Sequence, residues 1–185
     1  AIPSTPADAK GLMTAAIRDE NPVVYLHHYM LTLDTGEVPE GEFVVPFGVA
    51  DIKRAGSDVT IVATGWMVKK ALAAAEQLAQ EDISAEVIDP RTLAPLDVET
   101  IVKSVKKTGR LVLVDQAPRQ SSAAIVIAGE VAEKGFEHLR APVVLVTALE
   151  ASVPYSEPLE NFLVPNEEKI AQAVRSVVGE RAVRA

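Results

Sequence analysis

Two adjacent histidines, His27 and His28, and two arginines that each follow a proline, Arg91 and Arg119, are the side chains best placed by type to do chemistry. An imidazole can act as acid or base, contact a substrate or bind a metal. Neighbouring residues of a strand face opposite sides, however, so one metal does not readily take both rings. No Asp, Glu or Cys accompanies the pair at ligand spacing. The plainer reading is one buried, hydrogen-bonded ring and one exposed ring. A guanidinium held behind Pro90 could clamp a carboxylate or phosphate, or could pair with Asp89 or Asp97 to hold its own loop. Arg119 has the same two readings, and the stiff Pro118 loop adds a subunit contact. His138, late in a helix, is explained by the helix dipole. Trp66 reads as packing at a helix start. There is no G-x-G-x-x-G, P-loop, G-x-S-x-G or H-E-x-x-H pattern. The chain has no cysteine, which excludes disulfides and thiolate metal sites. No catalytic set is complete.

The elements that carry these residues follow from periodicity. "TPADAKGLMTAAIRDENP" reads as a helix capped by Thr5, with Pro6 at its first position, Asp8 in its first turn and Asn21-Pro22 ending it. "VVYLHH", residues 23–28, reads as a short strand, and "DTGEVPEGEFVVPFG", from Asp34, as a linker with room for a hairpin. From Asp58 onward, apolar strands ("DVTIVATG", "AEVID", "RLVLVD", "PVVLVTAL") alternate with amphipathic helices. Asp97 is the expected cap of one helix and Ser121 or Ser122 of the next. Gly179 ends the last. Strands that are apolar throughout imply a mostly parallel sheet covered on both faces, a three-layer α/β domain. In such sheets functional groups gather at the carboxyl ends of strands. Asp89-Pro90-Arg91, Gly65-Trp66 and Asp115 to Arg119 are three such ends.

The bulk composition narrows the partners. The formal charge is −8, and no Lys/Arg cluster exceeds the pairs Lys69-Lys70 and Lys106-Lys107, so no nucleic acid is expected. Apolar runs fall far short of the roughly 20 residues that span a bilayer, and no signal peptide is apparent. The expectation is no membrane and a cytoplasmic location.

The ordered stretches "PADAKGLMTAAIRDENPVVYL", "GEVPEGEFVVPFGVADIKRAGSDVTIVATGWMVKKALAAAEQLAQEDISAEVIDPRTLAPLD" and "KTGRLVLVDQAPRQSS" resemble the β subunit of the E1 component of 2-oxo acid dehydrogenase complexes. That family includes acetoin, pyruvate and branched-chain types. The resemblance runs from about Pro6 to Val178. It implies a remnant of the pyrimidine-binding domain at 1–33, a linker at 34–57 and a transketolase-like C-terminal domain at 58–185. It implies thiamine diphosphate and Mg²⁺ in the complete enzyme, and none bound to this chain alone. The family's catalytic glutamate would lie upstream of Ala1, and the diphosphate and metal are held by the α subunit. No catalytic, cofactor-binding or metal residue is therefore carried over, and the chain alone is expected to be inactive. The partners implied are an E1 α subunit, a second E1 β subunit and an E2 lipoyl acyltransferase. His28, Arg91 and Arg119 remain as substrate-side or interface candidates. In "DPRTLAPLD" the resemblance favours Arg91 and Asp97 as holding the turn. Glu157, Glu160, Glu167 and Glu168 lie in an acidic, proline-bearing segment expected to form an ordered surface loop, and the resemblance makes them candidates for E2 docking. Gln116, Ser121-Ser122 and Val126 depart from the usual acidic, Gly-Gly and glutamate positions, and His27 from a common acidic one. A non-catalytic assembly or docking module, or a fragment of a transketolase-like thiamine enzyme, are the alternatives.

Overall fold

The computed structural model describes residues 1–179, so the end of the expected 58–185 domain, residues 180–185, lies outside the described residues. Helix α1 (Pro6–Arg18) starts where the sequence places it. Thr5 is the N-cap and accepts from the Asp8 amide at 3.1 Å, with Pro6 in the first turn. The stretch "VVYLHH" is not a strand. Its backbone ties to a distant segment are two bonds with Ala1, Leu26 N–H to the Ala1 carbonyl at 2.9 Å and the Ala1 amino group to the Val24 carbonyl at 2.8 Å, and without a neighbouring strand no ladder forms. The linker contains no hairpin, only a 3₁₀ turn before it at Tyr29–Leu31.

Five strands form one sheet: β1 (Asp51–Arg54), β2 (Val59–Ala63), β3 (Ala85–Asp89), β4 (Leu111–Pro118) and β5 (Val144–Ala148). Their order is β1-β3-β2-β4-β5. Only β1 is antiparallel to its neighbour. The sheet thus takes in residues 51–54, which the sequence reading assigned to the linker. "DIKR" is short and mostly charged, so it carries no apolar strand signal. Edge position tolerates such a strand, and its bulge and charges guard the edge.

Helices cover both faces. On one, α2 (Trp66–Ala79) and α6 (Glu167–Gly179) bury Met67, Leu78, Ile170 and Val174 against Ile61, Val87 and Val112. On the other, α3 (Val98–Thr108) and α4 (Ala123–Gly135) bury Ile101, Val105, Ile127 and Val131 against Val62, Ile88 and Leu113. Asp97 caps α3 through the Thr100 amide, and Gly109 ends it in the left-handed region at φ 73°. Ser122 caps α4. The expected acidic loop contains a further short helix, α5 (Glu157–Leu163). Its early proline, in the first turn, suits a helix start rather than a loop.

Beneath α3 the sheet carries a polar set. Thr60 Oγ1 lies 2.6 Å from Ser104 Oγ and 2.8 Å from Thr108 Oγ1. Ser104 donates to Glu86 at 2.5 Å, and Lys107 forms an ion pair with the same carboxylate. Burial works to raise the Glu86 carboxyl, but Lys107, Ser104 and the Gly56 amide outweigh it and hold it below the usual range. Each of these buried groups is satisfied, which is the condition for burying them at all.

Candidate functional site

The carboxyl end of β3 holds the densest group of charges. The residue pair Asp89-Pro90 stops the strand, and Asp89 is fully buried. It accepts from the Arg91 amide at 2.9 Å and from Ser4 Oγ. Burial pushes its carboxyl up to about 6, against the lowering effects of Ser4, the Arg91 amide and Lys53. Asp8, buried on α1, receives Lys53 at 2.7 Å and Arg91 Nη1 at 3.3 Å. Burial would raise Asp8 too, yet Lys53, Thr5 and Arg91 hold it below its ordinary value. Lys53 also meets Asp51 at 2.7 Å.

Arg91 therefore does hold its turn, but through partners the sequence did not offer. Besides Asp8, its side chain donates to the Val49 carbonyl at 3.0 Å and the Ala50 carbonyl at 3.5 Å. Neither expected carboxylate, Asp89 or Asp97, takes its guanidinium. Asp97 instead caps α3 and accepts the Ala50 amide at 2.9 Å. Sequence reading saw Asp8 as a first-turn helix residue and Lys53 as part of a linker. Nothing in their local context marks them as partners, because the contact spans 45 residues.

His28 stacks on Trp66 with ring centroids 5.1 Å apart and planes 18° from parallel. Lys70 lies 4.8 Å from the Trp66 ring and pairs with Glu167 at 2.8 Å. His28 also accepts the Met30 amide, while His27, exposed, lies 3.0 Å from Thr32 Oγ1. Neither ring is buried, unlike the plainer expectation of one inside and one outside. The two serve separate contacts: His27 closes a local turn and His28 ties that turn to the start of α2. Trp66 is thus packing with a polar neighbour on its face.

Arg119 is exposed at the end of β4 and lines an open groove of about 610 Å³ between β5 and α6, with Glu150 and Lys169. Asp115, from the same loop, receives Ser122 Oγ at 2.7 Å and the Ala123 amide at 2.9 Å, fixing the start of α4. A second, apolar cavity of about 490 Å³ lies between Ala1, Ile2, Val24, Phe47, Leu93 and Pro95. The four candidate acids divide into pairs. Glu157 and Glu160 are exposed in the first turn of α5. Glu167 is engaged by Lys70, and Glu168 by Arg175 at 3.0 Å. Exposed Tyr155, Leu159 and Phe162 neighbour the first pair. His28, Arg91 and Arg119 are not brought together into one site. Among the described residues no group of three or more His, Asp or Glu side chains could hold a metal ion. Likewise no described helix is long and apolar enough to cross a membrane.

Comparison with known proteins adds to this geometry. A family model, transketolase C-terminal domain, matches residues 48–170. The acetoin:2,6-dichlorophenolindophenol oxidoreductase subunit beta of Cupriavidus necator is 47% identical, over 95% of this chain and 52% of its own length. The subunit of the same name from Bacillus subtilis is 46% identical over 98% of this chain and 53% of its length. The pyruvate dehydrogenase E1 component subunit beta of Bacillus subtilis is 43% identical over 96% and 54%. A solved structure described as a split gene transketolase, inactive beta4 tetramer, superposes with a TM-score of 0.81 at 27% identity, over 96% of this chain and 56% of that one. The chain spans about half the length of the curated relatives it matches.

Proposed function

The chain belongs to the transketolase C-terminal domain family, and from that premise we propose that it is the C-terminal part of an E1 β subunit. The observation that carries this reading is the asymmetry of coverage: nearly all of this chain aligns with about half of each E1 β or acetoin oxidoreductase β relative. Residues 1–33 would be the last piece of a pyrimidine-binding domain, 34–57 the linker and 58–185 the C-terminal domain. Residues 51–54 of that linker add β1 to the sheet.

In the complete enzyme of two α and two β subunits, the reaction proposed is oxidative decarboxylation of a 2-oxo acid, or cleavage of acetoin, with acyl transfer to lipoamide on E2. Thiamine diphosphate supplies the reactive carbon of that chemistry when bound. In this reading the catalytic glutamate implied by the resemblance belongs to the part of the subunit before this chain. No chemical step is therefore assigned to this chain. Its own part is assembly, with the E1 α subunit and a second β subunit as neighbours, in the cytoplasm. Calorimetry of the 185-residue chain with thiamine diphosphate and Mg²⁺ at millimolar concentration tests the reading. The expected outcome is no saturable heat, and a micromolar constant would overturn it. A subunit of a split transketolase is the second reading, favoured by the structural likeness alone.

The proposed E2 dock is the acidic surface leading into α6. Glu157 and Glu160 stand beside exposed Tyr155, Leu159 and Phe162, an acidic rim around apolar anchors that suits a small basic domain. Glu167 and Glu168 are already engaged by Lys70 and Arg175, so their share should be smaller. Changing all four to Gln is expected to weaken binding of the E2 domain roughly tenfold and flatten its salt dependence, since exposed charges are screened over about 10 Å at 0.1 M salt. Surface plasmon resonance across a salt series reads both effects. Unchanged affinity and slope would place the dock elsewhere.

A further inference from the structure

The N-terminal segment is fastened to the sheet by a cluster that titrates. Three segments meet at Asp89: residues 2–8, strand β1 and the turn at Arg91. Asp89 takes Ser4 Oγ from the first and the Arg91 amide from the third, while Lys53 of β1 stands 3.9 Å away. Asp8, from α1, is bound by Lys53 and Arg91, and Asp51 of β1 by Lys53. The Ile2 amide donates to the Arg91 carbonyl at 2.8 Å. Behind these groups, Tyr25 donates to the Ala9 carbonyl, with its phenol raised by burial and by Asp8. On the other side Asp97 faces Arg91. Strand β2, packed against β3, brings no charge to this end: its partners there are Ile61 and Val62.

The charges do not balance when every group is ionised. Asp8, Asp51 and Asp89, with Asp97 facing Arg91, oppose Lys53 and Arg91, so negative charge is in excess around the buried Asp89. Taking up one proton reduces the excess. Asp8 is held ionised by its two cations and Asp51 is partly exposed, whereas Asp89 is the member with no exposed surface and no cation within direct hydrogen-bond reach. Protonated, it keeps one oxygen for the Arg91 amide and shares its proton with Ser4.

We propose that Asp89, with Ser4, Asp8, Lys53 and Arg91, is a proton-sensitive latch that holds residues 1–18 to the sheet and tightens on acidification. Opening the latch exposes Asp89 to water and returns its carboxyl to the ordinary range near 4. The closed form binds the proton better, with Asp89 at about 6. The added stability is thus fully present below about pH 4 and is lost as pH rises through 6. Asp8, whose carboxyl is lowered in the closed form, acts in the opposite sense, but only below its ordinary value. Between those limits Asp89 dominates, and linkage makes the closed-to-open ratio about tenfold greater near pH 5 than near pH 7.5.

Hydrogen exchange of the 185-residue chain reads this ratio. Protection factors of α1 amides, corrected for intrinsic exchange and referenced to α3, should rise about tenfold from pH 7.5 to pH 5. In Asp89→Asn, which keeps the acceptor and removes the titration, they should not change with pH. A flat wild-type response, or a rise that survives in Asp89→Asn, overturns the latch. Should the variant not fold, carbon-detected NMR titration of the wild-type Asp89 carboxyl decides. A midpoint near 6 supports the latch, and one near 4 rejects it. Neither result depends on which enzyme the chain serves.

Discussion

Replacing Gly56 by alanine is expected to cost about 3 kcal/mol of stability, roughly 10 °C in Tm. Gly56 lies in the turn between β1 and β2, pressed against the start of β3. A Cβ there would stand 2.2 Å from the Ala85 carbonyl carbon and 2.2 Å from the Glu86 nitrogen. Both are backbone atoms of a strand paired on its two sides, so neither can move without breaking a ladder. The turn is pinned as well: the Ser57 and Asp58 amides both donate to the Ser84 carbonyl, at 3.0 and 2.8 Å. Displacing it also lengthens the Gly56 amide contact to Glu86, one of the bonds that hold that buried carboxylate ionised. Gly11 makes a useful contrast. Its added Cβ would meet side chains, Val45 and Phe43, and α1 gains from alanine's helix propensity, so its loss should be smaller, about 1 kcal/mol. Thermal melts of the two variants check the order. A Gly56→Ala protein melting within about 2 °C of the parent would mean that the tight approach of this turn to β3 is wrong.

The parts of the fold legible in the sequence are those whose signal is local. Thr5 with Pro6, Asp97 with Gly109, and Ser122 each mark a helix boundary by a side-chain or backbone requirement that lies within a few residues. Strands β2 to β5 announce themselves as apolar runs, because burial on both faces requires it. What failed was set by distant partners. "VVYLHH" has strand composition but no neighbouring strand, while "DIKR" lacks strand composition yet pairs along the edge of β3. The α5 helix was hidden by prolines that suit both a loop and a helix start.

The candidate residues divide in the same way. That Arg91 holds its turn could be read from "DPR", but Asp8 as its acidic partner could not, because 83 residues separate them. The ring on which His28 stacks belongs to α2, which no pattern around His28 indicates. In the sequence Glu167 is one acid of a proline-bearing acidic run. Lys70, 97 residues away, engages it. The resemblance to E1 β subunits carried what periodicity could not, namely the order of motifs across the chain and the family to which they belong.

The native polypeptide is expected to be roughly twice the length of this chain, since the relatives it matches extend about as far again. It should also travel with a second polypeptide. Under the proposed reading the α subunit holds the diphosphate and its metal and the β subunit supplies assembly surfaces, so the two would be required together. The most direct measurement is affinity isolation from native cell extract, using an antibody raised against residues 58–179, followed by intact mass spectrometry of what is captured. The account predicts a polypeptide of about double this chain's mass that contains its sequence at the C-terminal end, together with a stoichiometric α subunit. Recovery of a free polypeptide of this chain's own mass, with no α subunit, would contradict it.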